Sequence, residues 1–207
     1  MNLLSLHNVY PATRLLDRRQ PAGPLHLERL RGCLTELSCP RGTAGLTLAL
    51  AKLAEVQRAG EPAAWIGPQS SLFYPPDAAR VGVAWESLAI IDLRTASAAG
   101  RAADKLLRSG AFGAVVIDLT RITDPLPRPL LGRLLRLAEV HDSALIFLTT
   151  SATARPSLSS LISLRVEARW QHLDPRRLTA TYSVIKDKRR GPGAILHETY
   201  DGPLGLR

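Results

Sequence analysis

A chain of 207 residues, 45% of them hydrophobic, is long enough to bury a core and reads as one ordinary domain with a short tail. No apolar run approaches the ~18–20 residues of a membrane span. The opening "MNLLSLHNVYPATRLLDRRQ" has no long apolar segment and no small-residue cleavage site, so a cytoplasmic protein without a signal peptide is expected. Cys33 and Cys39, six apart and without a second Cys or His cluster, make neither a zinc site nor a disulfide framework. The net charge of +9 bears on partners: it favours nucleic acid, anionic surfaces or acidic proteins, unless it only reflects an arginine-rich composition.

Residues 1–30, rich in Pro, Arg and Leu, read as an arm with at most one helical turn, ahead of a core over 31–207. "LTELSC" is a short buried strand. After the turn "PRGTAG", Leu46, Leu50, Leu53 and Ala54 recur at helical spacing, and Gly60 stops the helix. "PAAWIG" (62–67) is a strand, "PPDAARVGV" a short helix opened by Pro, and "SLAIIDL" (87–93) a further strand. A helix over 96–110, the strand "FGAVVIDLT" (112–120), a helix over 128–142 and the strand "SALIFLTTS" (143–151) follow. The alternation predicts an α/β fold with a mostly parallel sheet covered on both faces. After residue 160 the helices stop, and "LISLRVEARW", "LTATYSVIKDK" and "AILHETY" read as antiparallel strands at the C-terminal edge.

Three stretches carry a resemblance. "CPRGTAGLTLAL" has the outline of a phosphate-binding loop running into a helix. "LLRSGAFGAVVIDL" is similar to a helix, an "RSG" turn and a Walker B strand, and "VIKDKRRGPG" to a Lys-x-Lys stretch that meets the neighbouring subunit. In this order, from about residue 31 to 200, they resemble the RecA core. Within that group the chain, with "RGCLTEL" as its entry strand, is identified as a member of the ImuA family, short RecA relatives encoded beside ImuB and a second DnaE-type polymerase.

The resemblance aligns Cys39 with the first loop glycine and Ala44 with the second, Gly45 with the lysine and Leu46 with the magnesium-binding hydroxyl. Gly42 keeps the turn flexible, and Thr47 matches a hydroxyl one place late. A phosphate loop needs the lysine for the β/γ-phosphates and the hydroxyl for Mg²⁺. Gln69 stands where the water-activating Glu belongs and cannot act as a base. Asp118 matches the Walker B Asp, or simply ends a buried strand. The expectation is a former ATPase site without cofactor or metal, whose helix N-terminus leaves weak anion binding open.

The segments "TRITDPLPRP" (120–129) and "TTSATARPSLSSL" (149–161) stand in for the two DNA-binding loops of RecA and are shorter. Basic residues gather late: Arg155, Arg165, Arg169, Arg176, Arg177, Lys186, Lys188, Arg189 and Arg190, against Glu167, Asp174 and Asp187. They can track a phosphate backbone, dock an acidic partner or be a solvated edge. Trp65 and Trp85 read as packing residues, and Trp170, among the basic strands, as the one worth testing for base stacking. What the resemblance implies is a non-catalytic accessory factor of SOS mutagenesis and translesion synthesis. Its partners would be RecA, ImuB and, indirectly, the error-prone polymerase, with weak DNA binding open. A single-stranded DNA-binding module and an SOS cell-division inhibitor with a RecA-like fold are the alternatives.

Overall fold

One eight-stranded sheet organises the chain, in a computed structural model that describes residues 23–40, 44–70, 73–174 and 177–201. The strands are β1 (Cys33–Ser38), β2 (Ala63–Gly67), β3 (Leu88–Asp92), β4 (Ala114–Asp118), β5 (Ala144–Thr149), β6 (Leu164–Asp174), β7 (Arg177–Asp187) and β8 (Ile195–Asp201). The helices are α1 (Leu27–Leu30), α2 (Ala44–Arg58), α3 (Pro75–Val81), α4 (Ala96–Arg108) and α5 (Arg128–Val140). The sheet order is β3-β2-β4-β5-β1-β6-β7-β8. The first six strands are parallel; β7 and β8 are antiparallel additions.

The mostly parallel sheet with an antiparallel C-terminal edge is the expected fold class. In detail β6 differs from the expectation for its segment, because it pairs parallel with β1 along Thr35–Ser38 before β7 turns back on it. Of the N-terminal arm, residues 1–22 lie outside the described residues, and 23–30 include the single turn α1.

Strand alternation sends side chains to two cores. Trp65, Val116, Ile146, Leu148 and Val166 pack with Leu46, Leu50, Leu53 and Ala54 of α2 on one face. Ile66, Val115, Ile117 and Phe147 pack with Leu107 of α4 and Leu131 and Leu134 of α5 on the other. Local chemistry sets the helix ends. Pro opens α3 and Gly82, at φ 87°, closes it. Thr95 caps α4 by accepting from the Ala98 amide at 3.2 Å, and Asp124 accepts from the Ala96 amide at 2.9 Å.

The link from β5 to β6 is unusual. Two strands parallel to the same neighbour need a crossover, and a helix normally supplies it because it satisfies its own backbone. Here residues 150–163 cross β1 without a helix. Buried side chains of the sheet bond that backbone instead. Arg165, 1% exposed, donates from Nη1 to the Arg155 carbonyl at 2.5 Å and from Nη2 to those of Ala152 at 2.9 Å and Ser151 at 3.3 Å. Glu36, fully buried in β1, accepts from the Leu158 amide and the Thr149 hydroxyl, both at 2.9 Å. The two ions face each other, Arg165 Nε to Glu36 Oε1, at 3.7 Å.

Candidate functional site

The sequence points to the carboxyl end of β1, where the chain leaves Cys39 for α2; residues 41–43, and with them Gly42, lie outside the described residues. Cys39 continues β1 by donating its amide to the Thr149 carbonyl at 2.7 Å, and it is 6% exposed. Its sulfur sits over the first turn of α2. A β-carbon placed on Gly45 would overlap the Cys39 Sγ, with Ala168 Cβ and Leu37 Cβ at 3.6 and 3.7 Å on the other sides. Burial pushes the Cys39 thiol up to about 12, against a bond from the Gly45 amide that pulls it down, and the Asp118 charge adds to the rise. The sulfur is therefore an uncharged thiol at neutral pH. Ala44 and Leu46 both turn into the α2-side core.

The residues present do not fit the triphosphate that the resemblance would place here. Position 45 has no room for a lysine stem, position 46 carries an alkyl group pointed into the core, and a helix amide that would meet a phosphate oxygen meets the thiol. Asp118 closes β4 with 0% exposure. Its Oδ1 accepts from the amide and hydroxyl of Thr120 at 2.9 and 2.6 Å, while Oδ2 is buried without a hydrogen-bond partner among the described residues. Gly67 of β2 makes room for it, since a β-carbon there would lie 2.9 Å from Asp118 Cβ. Gln69 is exposed, and its amide donates to Asp92 Oδ1 at 2.8 Å.

The basic residues divide into different environments. Arg165 is no surface cation: it lies beneath segment 150–163 with its donors spent, including Nε to Ser38 Oγ at 2.9 Å. That removes it from the expected partner-binding set, because a buried guanidinium bonded to carbonyls offers nothing to a partner. Arg155 and Arg169 are exposed, and Arg169 is ion-paired with the buried Glu167. Arg176 lies outside the described residues, and Arg177 opens β7 opposite Asp201.

Lys186 is half-buried and donates to the Ser160 carbonyl at 3.4 Å. Its pKa is lowered, first by burial and then by the charge of Lys188. Lys188, Arg189 and Arg190 stand exposed on the turn after β7. Asp187 organises that turn. Its Oδ1 accepts from the amides of Arg189 and Arg190 at 2.8 and 3.2 Å, and its Oδ2 accepts from Arg29 of α1 at 2.9 Å.

Trp65 is core, 1% exposed and stacked at a tilt on Phe73, whose ring meets the exposed Trp85 edge-on. Trp170 is half-buried and packs edge-to-face on Tyr200 at 5.5 Å. The sequence reading missed Glu36 as a partner of Arg165 and of the crossover; its signal was a carboxylate in the middle of an otherwise apolar strand.

No family model matches the chain. Over 88 residues it is 42% identical to Protein RecA of Rubrobacter xylanophilus, a match covering 42% of this chain and 25% of that protein. It is 40% identical over 88 residues to Protein RecA of Acidothermus cellulolyticus, with the same coverage. Against Protein RecA of a Picosynechococcus species it is 36% identical over 104 residues, 47% of this chain and 30% of the relative. The matches thus span 25–30% of the length of these relatives. The chain is similar to RecA over part of its length, and its sheet is that of a RecA-like core.

Proposed function

We propose that the chain is a non-catalytic RecA-like accessory protein of the ImuA type, acting in SOS-induced mutagenic translesion synthesis by docking on RecA, ImuB or both. The observation that carries this reading is the Cys39 sulfur seated over Gly45, with Leu46 turned into the core beside it. A site closed by its own side chains leaves the fold without a hydrolytic task, whereas a RecA-like core keeps surfaces that a RecA-like partner can meet. The turn bearing Lys188, Arg189 and Arg190 is the docking element, held rigid by Asp187 and aligned with the Lys-x-Lys stretch. Lys186, the first lysine of that stretch, is half-buried and donates to the Ser160 carbonyl of the crossover, so the exposed Lys188 leads the contact.

The test is a RecA titration of the purified chain with and without single-stranded DNA and ATP. Saturable binding with no nucleotide consumed by this chain alone is expected, weakened at least tenfold by Lys188→Glu with Arg189→Glu. Binding to RecA in no state would move the docking to ImuB. Magnesium-dependent nucleotide binding and phosphate release that Asp118→Ala abolishes would instead establish an ATPase.

A further inference from the structure

A polar depression of about 580 Å³, lined by Pro68, Gln69, Ser70, Arg94 and Arg121, opens at the carboxyl ends of β2, β3 and β4. Its place follows from the topology. β2 and β4 are adjacent and parallel, yet the chain leaves β2 for α3 on one face of the sheet and leaves β4 for α5 on the other. Divergence of two neighbouring connections opens a crevice beyond the strand ends, the general location of ligands in open α/β sheets. The crevice is separate from the end of β1, which lies two strands from β4 and three from β2, roughly 10–15 Å at ~4.8 Å per strand.

The two arginines of the depression, Arg94 and Arg121, are both exposed and are not ion-paired among the described residues. Three acids lie within three residues of them in sequence, and each accepts from a backbone amide: Asp92 Oδ1 from Gln69 at 2.8 Å, Asp118 Oδ1 from Thr120 at 2.9 Å and Asp124 Oδ2 from Ala96 at 2.9 Å. Two guanidinium groups in one depression repel each other unless an anion lies between them, and their planar donor forks suit the oxygens of a phosphoryl group. The amide side chain of Gln69 and the hydroxyl of Ser70 can complete its hydrogen bonds. The volume falls within the ~300–1,000 Å³ usual for small-molecule sites, larger than a bare phosphate requires.

We propose that this depression is a phosphoryl-binding site, in which Arg94 and Arg121 supply the cations for a phosphorylated small molecule or a phosphodiester of a single strand. It is independent of the docking reading above, since none of its residues belongs to the Lys188 turn.

The experiment titrates the full chain, without divalent metal, with inorganic pyrophosphate and separately with a short oligodeoxythymidine. The readout is the NMR shifts of the arginine Nε–H groups and of the Gln69 and Ser70 amides. Saturable shifts at these four residues are expected with at least one probe, with affinity falling at least tenfold in R94Q/R121Q and unchanged in K188Q/R189Q. Pyrophosphate acting alone identifies a small ligand; the oligonucleotide acting alone identifies a polymer phosphate; both acting identifies the shared group. Because both arginines are exposed, R94Q/R121Q should melt with the unaltered chain, and R94K/R121K, which keeps charge without the fork, should fall between them. Shifts spread evenly over the arginines and insensitive to R94Q/R121Q, or no shift with either probe, would overturn the proposal.

Discussion

The sulfur of Cys39 occupies the space that a side chain at Gly45 would need, so the end of β1 and the first turn of α2 are closed on each other by a thiol and a missing β-carbon. The two positions are interdependent: a larger residue at 45 requires a smaller one at 39. Gly45→Lys alone should therefore destabilise the fold by about 1–3 kcal/mol, the usual cost of overpacking a filled site. It should not create nucleotide affinity. Cys39→Gly added to it should recover part of the loss, a coupling that denaturant melts of the two single variants and the double variant would reveal. Fully additive melts would show that the sulfur and position 45 do not meet.

The same sulfur makes a chemical prediction. With the thiol raised by burial to about 12, its thiolate population at pH 8 is about a thousandfold below that of an unfolded cysteine near 9. Alkylation of Cys39 by iodoacetamide, followed by peptide mass spectrometry, should be slower by about that factor in the native chain than in denaturant. The pH dependence has a definite sign. A folded pKa above the unfolded one favours the native state below about pH 9 and loses that contribution as pH climbs toward 12. Cys39→Ala should flatten the alkaline limb of the stability curve. Native labelling at the unfolded rate would mean that the sulfur is open to solvent.

Much of this was legible in the residues because local signals and tertiary placement agree. Leu46, Leu50, Leu53 and Ala54 repeat with the helix period and all four are buried, and the apolar run at 114–118 is a fully buried strand. The altered loop could likewise be read from Gly45 and Leu46 alone. Hidden was the way Cys39 fills the vacancy left at Gly45, a contact across several residues that no periodicity encodes. The charge count failed at Arg165 for a related reason. A cation in a polar-looking strand reads as surface, and only the helix-free crossover above it, with its unpaired carbonyls, explains why a guanidinium is buried there. The Arg94–Arg121 depression was equally invisible, because it joins the ends of strands that the sequence lists apart.

Arg165→Met should be among the most damaging single changes. It strips three backbone carbonyls and the Ser38 hydroxyl of their donor and leaves Glu36 buried without its counter-ion. Removing one member of a buried pair costs about 3–5 kcal/mol. The loss should be local as well as global, with faster amide exchange over 151–163 than over β4 or β5. Glu36→Gln should be milder, because the amide oxygen can still accept from Leu158 or Thr149. Hydrogen exchange by mass spectrometry separates the outcomes. Unchanged protection of 151–163 in Arg165→Met would mean that apolar contacts of Leu158, Leu161 and Ile162 hold the crossover without the ion pair.

Asp187 governs the acid side of stability. Burial alone would raise its pKa, but the amides of Arg189 and Arg190 and the Arg29 guanidinium outweigh that and hold the carboxylate below its ordinary range. A depressed folded pKa stabilises the native state above the unfolded value near ~3.9, and that contribution is lost as pH falls through the folded value. Asp187→Asn should therefore lower stability at pH 7 by about 2–3 kcal/mol, the scale of hydrogen bonds to a charged group. It should also make the decline below pH 4 shallower, since the titrating group is gone. The effect reaches the turn as well: without the carboxylate, the turn of Lys188, Arg189 and Arg190 loses the hydrogen bonds that order it, so the proposed RecA docking should weaken even where the fold persists. Urea melts at pH 3.5 and 7, paired with the RecA titration at neutral pH, test both parts. An Asp187→Asn chain that melts normally and binds RecA normally would remove this turn from both stability and docking.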